Sequence, residues 1–474
     1  MKNDKKPDLS KLPQVESILK QPLIEQLVNN EKANRLVLTQ LTREILQELR
    51  QGTQIIDSCD PDSLSKLVER KWRELFKHRM TRVINATGVI LNTNLGRAPI
   101  AQKIADQVCH LITGYCDLEY DVNKGERSNR NKNVSRLIQI LTKAQDAIVV
   151  NNNAAAVMLA ICALAQGKEV VVSRSELIEI GGSFRLPDVI VASGAKLKEV
   201  GTTNKTKIND FSQAISSQTA CLLKCHQSNF KIIGFTDEAN PKELAALAKE
   251  NNIPFVHDLG SGSLINIDLL GLEHEPTVQE CIEQGADLVL FSADKLLGGG
   301  QAGIIAGRKD LVAKLASHPI YRTLRLDKLN IALLESVLAS YLKTDTFQSM
   351  PALNMAQESV TDLKLRVEKF LQLLPAEIRS SFSIEPVSTT STLGGGSLPG
   401  QSLDSFGLSL TGNGGFSTSK LANRLRQWRT PVISTVHKDR VILDFRAVLA
   451  QDEAELLSAI NNLSNYSSGY NEQE

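Results

Sequence analysis

The sequence predicts an α/β fold, in which a mostly parallel β-sheet is covered on both faces by helices. A helical region precedes the sheet and a smaller α/β region follows it. Three observations carry this reading. Short apolar, β-branched runs recur through the middle of the chain. Helical patterns lie between most of them, the alternation that builds a parallel sheet with crossover helices. Residues 11–82 read as helix, with no glycine but Gly52.

In chain order, Leu23 and Leu27, then Leu36, Leu38, Leu41, Ile45 and Leu49, recur at three- and four-residue spacing, the period of a helix with one buried face. Asp60-Pro61 then supplies a cap and a first-turn proline for a helix through Leu64, Leu67, Val68, Trp72, Leu75 and Phe76. Arg70, Lys71, Arg73, Lys77, Arg79 and Arg82 crowd its end, either as a solvated helix face or as a basic patch for an acidic partner. From 83 to 330, strands are expected at Ala147–Val150, Val170–Val172, Val189–Val191, Ala220–Leu223, Ile253–Val256 and Leu288–Phe291. Helices such as Ala154–Ala165 and Pro241–Glu250 separate them. From 331 to 474 a long helical pattern leads into the smaller α/β region, with strand candidates Phe382–Pro386, Ser405–Leu410 and Val441–Phe445. Three domains follow: 1–82, 83–330 and 331–474.

Composition narrows the classes of function. A net charge of +1 excludes a generally basic, histone-like surface, so a nucleic-acid partner would have to be met by a local patch. Seven cysteines, an odd number scattered through 474 residues, read as reduced thiols rather than a disulfide framework. Cys221 and Cys225 have no companions at zinc spacing, so no metal site is expected. The opening MKNDKKPDLSKLP has no apolar stretch of the signal-peptide kind, and no apolar run approaches the roughly 20 residues that span a bilayer. A cytoplasmic protein without a membrane partner is expected.

In a sheet of this kind ligands sit beyond the carboxyl ends of the strands, so the residues there are the ones to read for chemistry. Asn151-Asn152-Asn153 follows the first strand and opens an Ala-rich helix. Helix N-termini offer free N–H groups and a positive dipole end, suited to a phosphate, although a plain N-cap explains the same residues. Asp258 ends a strand ahead of Leu259-Gly260-Ser261-Gly262; it is either a turn residue or a carboxylate for a protonated pyridine nitrogen. Lys295 follows the Leu288–Phe291 run and precedes Gly298-Gly299-Gly300. Packing explains a lysine there poorly, whereas a lysine in a cleft can lose its proton and form a Schiff base. Ser173-Arg174-Ser175-Glu176 and His226 lie at two further strand ends, and a lone histidine has an equally plain structural reading.

A phosphate loop, then a strand-end Asp, then a strand-end Lys is an order that resembles the aspartate-aminotransferase-like, fold type I, pyridoxal-phosphate enzymes. Longer strings are more specific. Ile84–Pro99, Ser173–Asp188, Gly201–Thr206, His257–Leu264, Ser292–Gly303, Tyr321–Lys328 and Gly394–Pro399 resemble segments of the bacterial selenocysteine synthases, the L-seryl-tRNA(Sec) selenium transferases. The likeness covers essentially the whole chain. It implies conversion of L-seryl-tRNA(Sec) to L-selenocysteinyl-tRNA(Sec) with selenophosphate, by β-elimination of water and then addition of selenium. It also implies that Lys295 carries pyridoxal 5'-phosphate and that Asp294 is a catalytic carboxylate. Asp258, Asn152, Asn153, Ala154, Ser292 and His226 would complete the cofactor site, with Arg97, Arg322 and Arg325 holding selenophosphate. Arg70, Lys71, Arg73 and Lys77 would meet tRNA(Sec), and the family implies a homodecamer built of dimers with shared active sites.

Two other readings compete. The first is a lyase of the same superfamily acting on a small free amino acid or amino sugar acid, which would not need the helical N-terminal region or the Arg322/Arg325 pair. In such an enzyme Arg446 could hold a substrate carboxylate, or it could pair with a neighbouring carboxylate. The second is a tRNA-binding protein with a vestigial cofactor site, against which Asp258, Lys295 and the phosphate loop all argue.

Overall fold

The computed structural model describes residues 12–53, 58–76, 80–181, 184–228, 230–412 and 416–463. The chain divides into two compact units, Met1–Arg82 and Val83–Glu474. The first contains helices Val15–Leu19, Pro22–Asn30, Arg35–Gln51 and Pro61–Leu75. Asn34 and Asp60 cap the last two by accepting from the Leu36 and Ser63 amides. Ile18, Leu27, Leu38, Ile45, Leu49, Leu64, Val68 and Trp72 form their common core.

The second unit is built on a seven-stranded sheet. Its order is Asp146–Val150, Gly303–Gly307, Leu288–Ser292, Phe255–Gly260, Thr219–Cys225, Glu169–Ser173 and Lys196–Val200. Every pairing is parallel except the two made by Gly303–Gly307. Alternate side chains enter different cores: Ala147 and Val149 join one apolar cluster, Ile148 and Val150 the other. The sheet is therefore buried on both faces, as expected for a mostly parallel α/β architecture.

One expected strand is a helix. Val189–Val191 lies inside helix Leu186–Ala192, which begins with Pro187 in its first turn and buries Leu186 and Ile190. Its three β-branched residues are too few to outweigh that start signal and the apolar contact with the rest of the core. The strand in this stretch is the following Lys196–Val200, at the sheet edge, whose polar composition gives a weak strand signal.

A second, six-stranded sheet runs Ile84–Ala86, Val432–His437, Arg440–Asp444, Leu403–Leu410, Glu385–Gly394 and Val89–Leu91. Its two outer strands come from residues that the sequence places beside the large sheet. Asp444 fastens the sheet: its carboxylate accepts from Thr389 Oγ1 (2.5 Å), Ser391 Oγ (2.9 Å), Ser405 Oγ (2.8 Å) and the Arg446 amide (3.0 Å). The expected Phe382–Pro386 strand starts only at Glu385, because Phe382 ends helix Ala376–Ser381 and is buried. No helix among the described residues is long and apolar enough to cross a membrane.

Candidate functional site

Helix Asn153–Ala165 starts directly after the first strand of the large sheet, and Asn152 caps it by accepting from the Ala155 amide at 2.8 Å. Asn153 turns the other way, its Nδ2 donating to Asp258 Oδ1 at 2.8 Å. Asn153 Oδ1 is buried with no hydrogen-bond partner, an acceptor available to a ligand. The loop is packed tightly from below: a Cβ at Gly303 would stand 2.1 Å from the Asn152 carbonyl oxygen, so only glycine fits there. Ala154 is half-buried in the first turn.

Asp258 lies in the Phe255–Gly260 strand and Lys295 in the turn after Leu288–Ser292; both are buried. Burial raises the Asp258 carboxyl above its ordinary range, opposed by the Asn153 hydrogen bond and the Lys295 charge. Burial also pushes the Lys295 amine down; Arg97 adds to this, while Asp258, Asp294 and Glu275 oppose it. Ser292 is buried at the end of the same strand. Of the glycines that follow, Gly300 serves packing: a Cβ there would stand 2.5 Å from Leu333 Cδ2 of helix Lys328–Ser340.

Asp294 and Arg97 meet. Arg97 Nη1 donates to Asp294 Oδ2 at 2.5 Å, in a partly buried pair. Arg97 holds a left-handed backbone (φ 63°) directly after Gly96 (φ 89°), a conformation an ordinary residue adopts at a cost. Arg325 makes other contacts. Its Nη1 is 3.4 Å from Glu119 Oε1, and its Nε is buried without a partner. The Asn151 amide donates to Leu324 O at 3.0 Å, which fastens this segment to the asparagine loop. Arg322 is exposed on helix Pro319–Thr323. Among the described residues, no hydrogen bond or ion pair joins Arg97 to Arg322 or Arg325.

His226 follows the Thr219–Cys225 strand, and its amide donates to Asp258 O at 2.9 Å. Its Nε2 lies 3.6 Å from Oε2 of Glu275, a fully buried carboxylate that the sequence alone did not single out. Nothing in Gly271-Leu272-Glu273-His274-Glu275 distinguishes that glutamate from its exposed neighbour Glu273. Glu176, from the Ser173–Glu176 rim, does not face the cleft as a free group. It is buried against Lys224 Nζ (2.9 Å) and the Cys225 amide (2.9 Å), locking two strand ends together. Arg174 pairs outward with Glu199 at 3.0 Å.

Other candidates from the sequence look different in three dimensions. Among the described residues Arg446 pairs with no carboxylate side chain: its buried guanidinium donates to the carbonyl oxygens of Met355, Ala356, Glu358 and Asp404. In the first unit Arg70 is exposed, whereas Lys71 is held by Glu48 (2.6 Å) and Arg73 by Glu69 (2.7 Å) and Glu31 (3.1 Å). Lys77 lies outside the described residues. The Cys221 thiol is pushed up to about 12 by burial, and no group of three potential ligands able to hold a metal occurs among the described residues.

Residues 83–449 match the family model described as L-seryl-tRNA selenium transferase (SelA). The L-seryl-tRNA(Sec) selenium transferase of Carboxydothermus hydrogenoformans is 42% identical over 448 residues, covering 94% of this chain and 95% of that one. The protein of the same name from Moorella thermoacetica is 43% identical over 457 residues, covering 95% and 96%. Among solved structures, D-glucosaminate-6-phosphate ammonia-lyase superposes with a TM-score of 0.57 at 17% identity, over 84% of this chain and 99% of that chain, a likeness of fold. On the family model and these nearly full-length relatives, the chain belongs to the L-seryl-tRNA selenium transferase family.

Proposed function

We propose that this protein converts L-seryl-tRNA(Sec) to L-selenocysteinyl-tRNA(Sec), using pyridoxal 5'-phosphate as cofactor and selenophosphate as donor. The observation that carries the reading is the convergence of buried Lys295 and Asp258 with Asn153, beside the Arg97–Asp294 pair, in a member of this family. The residues fit the cofactor. Lys295 is a buried amine pushed toward its neutral form, Asp258 is a buried carboxylate, and the asparagine loop opens a helix N-terminus, whose free N–H donors suit a phosphate.

In this reading Lys295 would carry the cofactor, Asp258 would serve its ring nitrogen, and Asn152, Asn153 and Ala154 would hold its phosphate; Ser292 and His226 would complete the site. The cofactor supplies an electron sink for the seryl α-carbon. Lys295 would take the α-proton of the seryl group; a buried amine depressed from its ordinary value suits a general base. Asp294 manages the proton of the departing β-hydroxyl. Arg97, Arg322 and Arg325 hold the selenophosphate anion, because guanidinium forks match phosphate oxygens. An anion arriving at Arg97 competes with Asp294 Oδ2, so donor binding and release of the catalytic carboxylate are coupled.

The helical first unit meets the tRNA, with Arg70 its least encumbered cation among the candidates described. The protein works as a homo-oligomer, a decamer built of dimers, in the cytoplasm. Single-turnover conversion of seryl-tRNA(Sec) with selenophosphate, run beside free serine and seryl-tRNA(Ser), tests the reading. Selenocysteinyl-tRNA from the first substrate alone is the expected result; deamination of a free amino acid with the charged tRNA untouched would replace it with the lyase reading.

A further inference from the structure

Glu275 is a carboxylate close to Lys295 that has no part in the steps of the proposed reaction. Its side chain is 1% exposed, it makes no hydrogen bond among the described residues, and Oε1 is buried without any partner. A buried carboxylate left unpaired is costly, so its retention calls for a partner or a task. The near polar group is His226 Nε2 at 3.6 Å, which is within ion-pair reach but too long for a hydrogen bond. His226 Nδ1 is likewise buried and open. Both residues act on the cleft: Glu275 opposes the depression of Lys295, and His226 opposes the rise that burial imposes on Asp258. The His226 backbone is itself pinned to Asp258 O at 2.9 Å.

We propose that Glu275 is a positioning residue acting through His226. The carboxylate draws Nε2–H toward itself and sets the plane of the ring, which leaves Nδ1 as the ring atom that meets the bound cofactor. The proposal rests on the reading that the Lys295 cleft holds pyridoxal phosphate. It says that the loop carrying Glu275, not the His226 strand alone, sets how the cofactor is gripped.

The test is a double-mutant cycle on the full chain, reading the dissociation constant of pyridoxal phosphate by dialysis and the position of its visible absorption band. Glu275→Gln is expected to weaken binding about tenfold, the low end of what losing the partner of a metal-bound histidine costs. It is also expected to move the band in the same direction as His226→Asn. Glu275→Asp recovers part of both effects, and adding Glu275→Gln to His226→Asn changes nothing further. Wild-type affinity with an unmoved band in Glu275→Gln, or losses that multiply in the double variant, overturns the proposal. Should Glu275→Gln not fold, Glu275→Met, close in volume and without the carboxylate, carries the same comparison, and an unmoved band there overturns it equally. A wild-type chain that takes up no pyridoxal phosphate sinks the cofactor reading itself.

Discussion

Lys295 shares its surroundings with three carboxylates, yet desolvation outweighs them and leaves its amine easier to deprotonate than an ordinary lysine. Lys295→Ala is expected to fold, to lose the visible band of the covalently held cofactor, and to lose activity by at least the roughly 10²–10⁴-fold of a missing general base. Cofactor that stays attached to the variant through borohydride reduction and denaturation, seen by the near-ultraviolet absorbance of the reduced adduct, would move it to another lysine. His257, next to Asp258, gives a prediction of a different kind. It is fully buried, and burial pushes its imidazole down to about 3 from 6.5. The unfolded chain therefore binds a proton below about pH 6.5 that the folded chain refuses until about pH 3, so stability present at neutral pH drains away across that window. The slope approaches about 1.4 kcal/mol per pH unit. His257→Asn is expected to flatten the fall in the urea midpoint between pH 7 and pH 5; an unchanged fall would mean that other groups govern it.

At the scale of elements, the six-stranded sheet hangs on one side chain. Removing the Asp444 carboxylate would strip partners from Thr389, Ser391, Ser405 and the Arg446 amide together. Asp444→Ala should cost about 3 kcal/mol, the range of buried hydrogen bonds to a charged group, read as a lowered denaturation midpoint. Asp444→Asn, which keeps one acceptor oxygen, should cost less. None of this could be read from Leu443-Asp444-Phe445, because a hub is defined by strands far apart in the chain. The central strands were legible, since runs such as Leu288–Phe291 are buried on both faces and stay apolar at every position. The Gly303–Gly307 strand was not: glycines at both ends blur a strand signal, and here they are demanded by backbone packed against Asn152 and Asp287. Lys295, Asp258 and the asparagine loop stood out because strand ends punctuate the sequence. Glu275 had no such mark, as its burial comes from tertiary packing alone.

For the whole molecule, the proposed reading gives the chemistry and the grip on tRNA to different units. Phosphate contacts make binding of a charged tRNA fall with salt, by an increment for each cation engaged. Arg70→Ala should weaken tRNA(Sec) binding and reduce the log–log salt slope by about 1, while cofactor loading stays intact. Lys71→Ala should do less, because Glu48 already neutralises that amine. Equal effects from the two variants, measured by filter binding across a salt series, would show that Glu48 yields its partner to RNA.

Strand Ile84–Ala86 pairs with Val432–His437, near the far end of the polypeptide, and Val89–Leu91 pairs with Glu385–Gly394. On the ribosome these early strands must wait, with apolar Ile84, Ile90 and Leu91 uncovered, until almost all of the chain has emerged. Arg97 lies just beyond them, so the corner proposed to hold the donor anion is among the last parts to be assembled. A chain cut short by premature termination upstream of Val432 would carry the lysine and the asparagine loop but lack the anchor for that corner. On the proposed roles, nascent protein would gain the means to hold a cofactor before it gains the means to take up a donor.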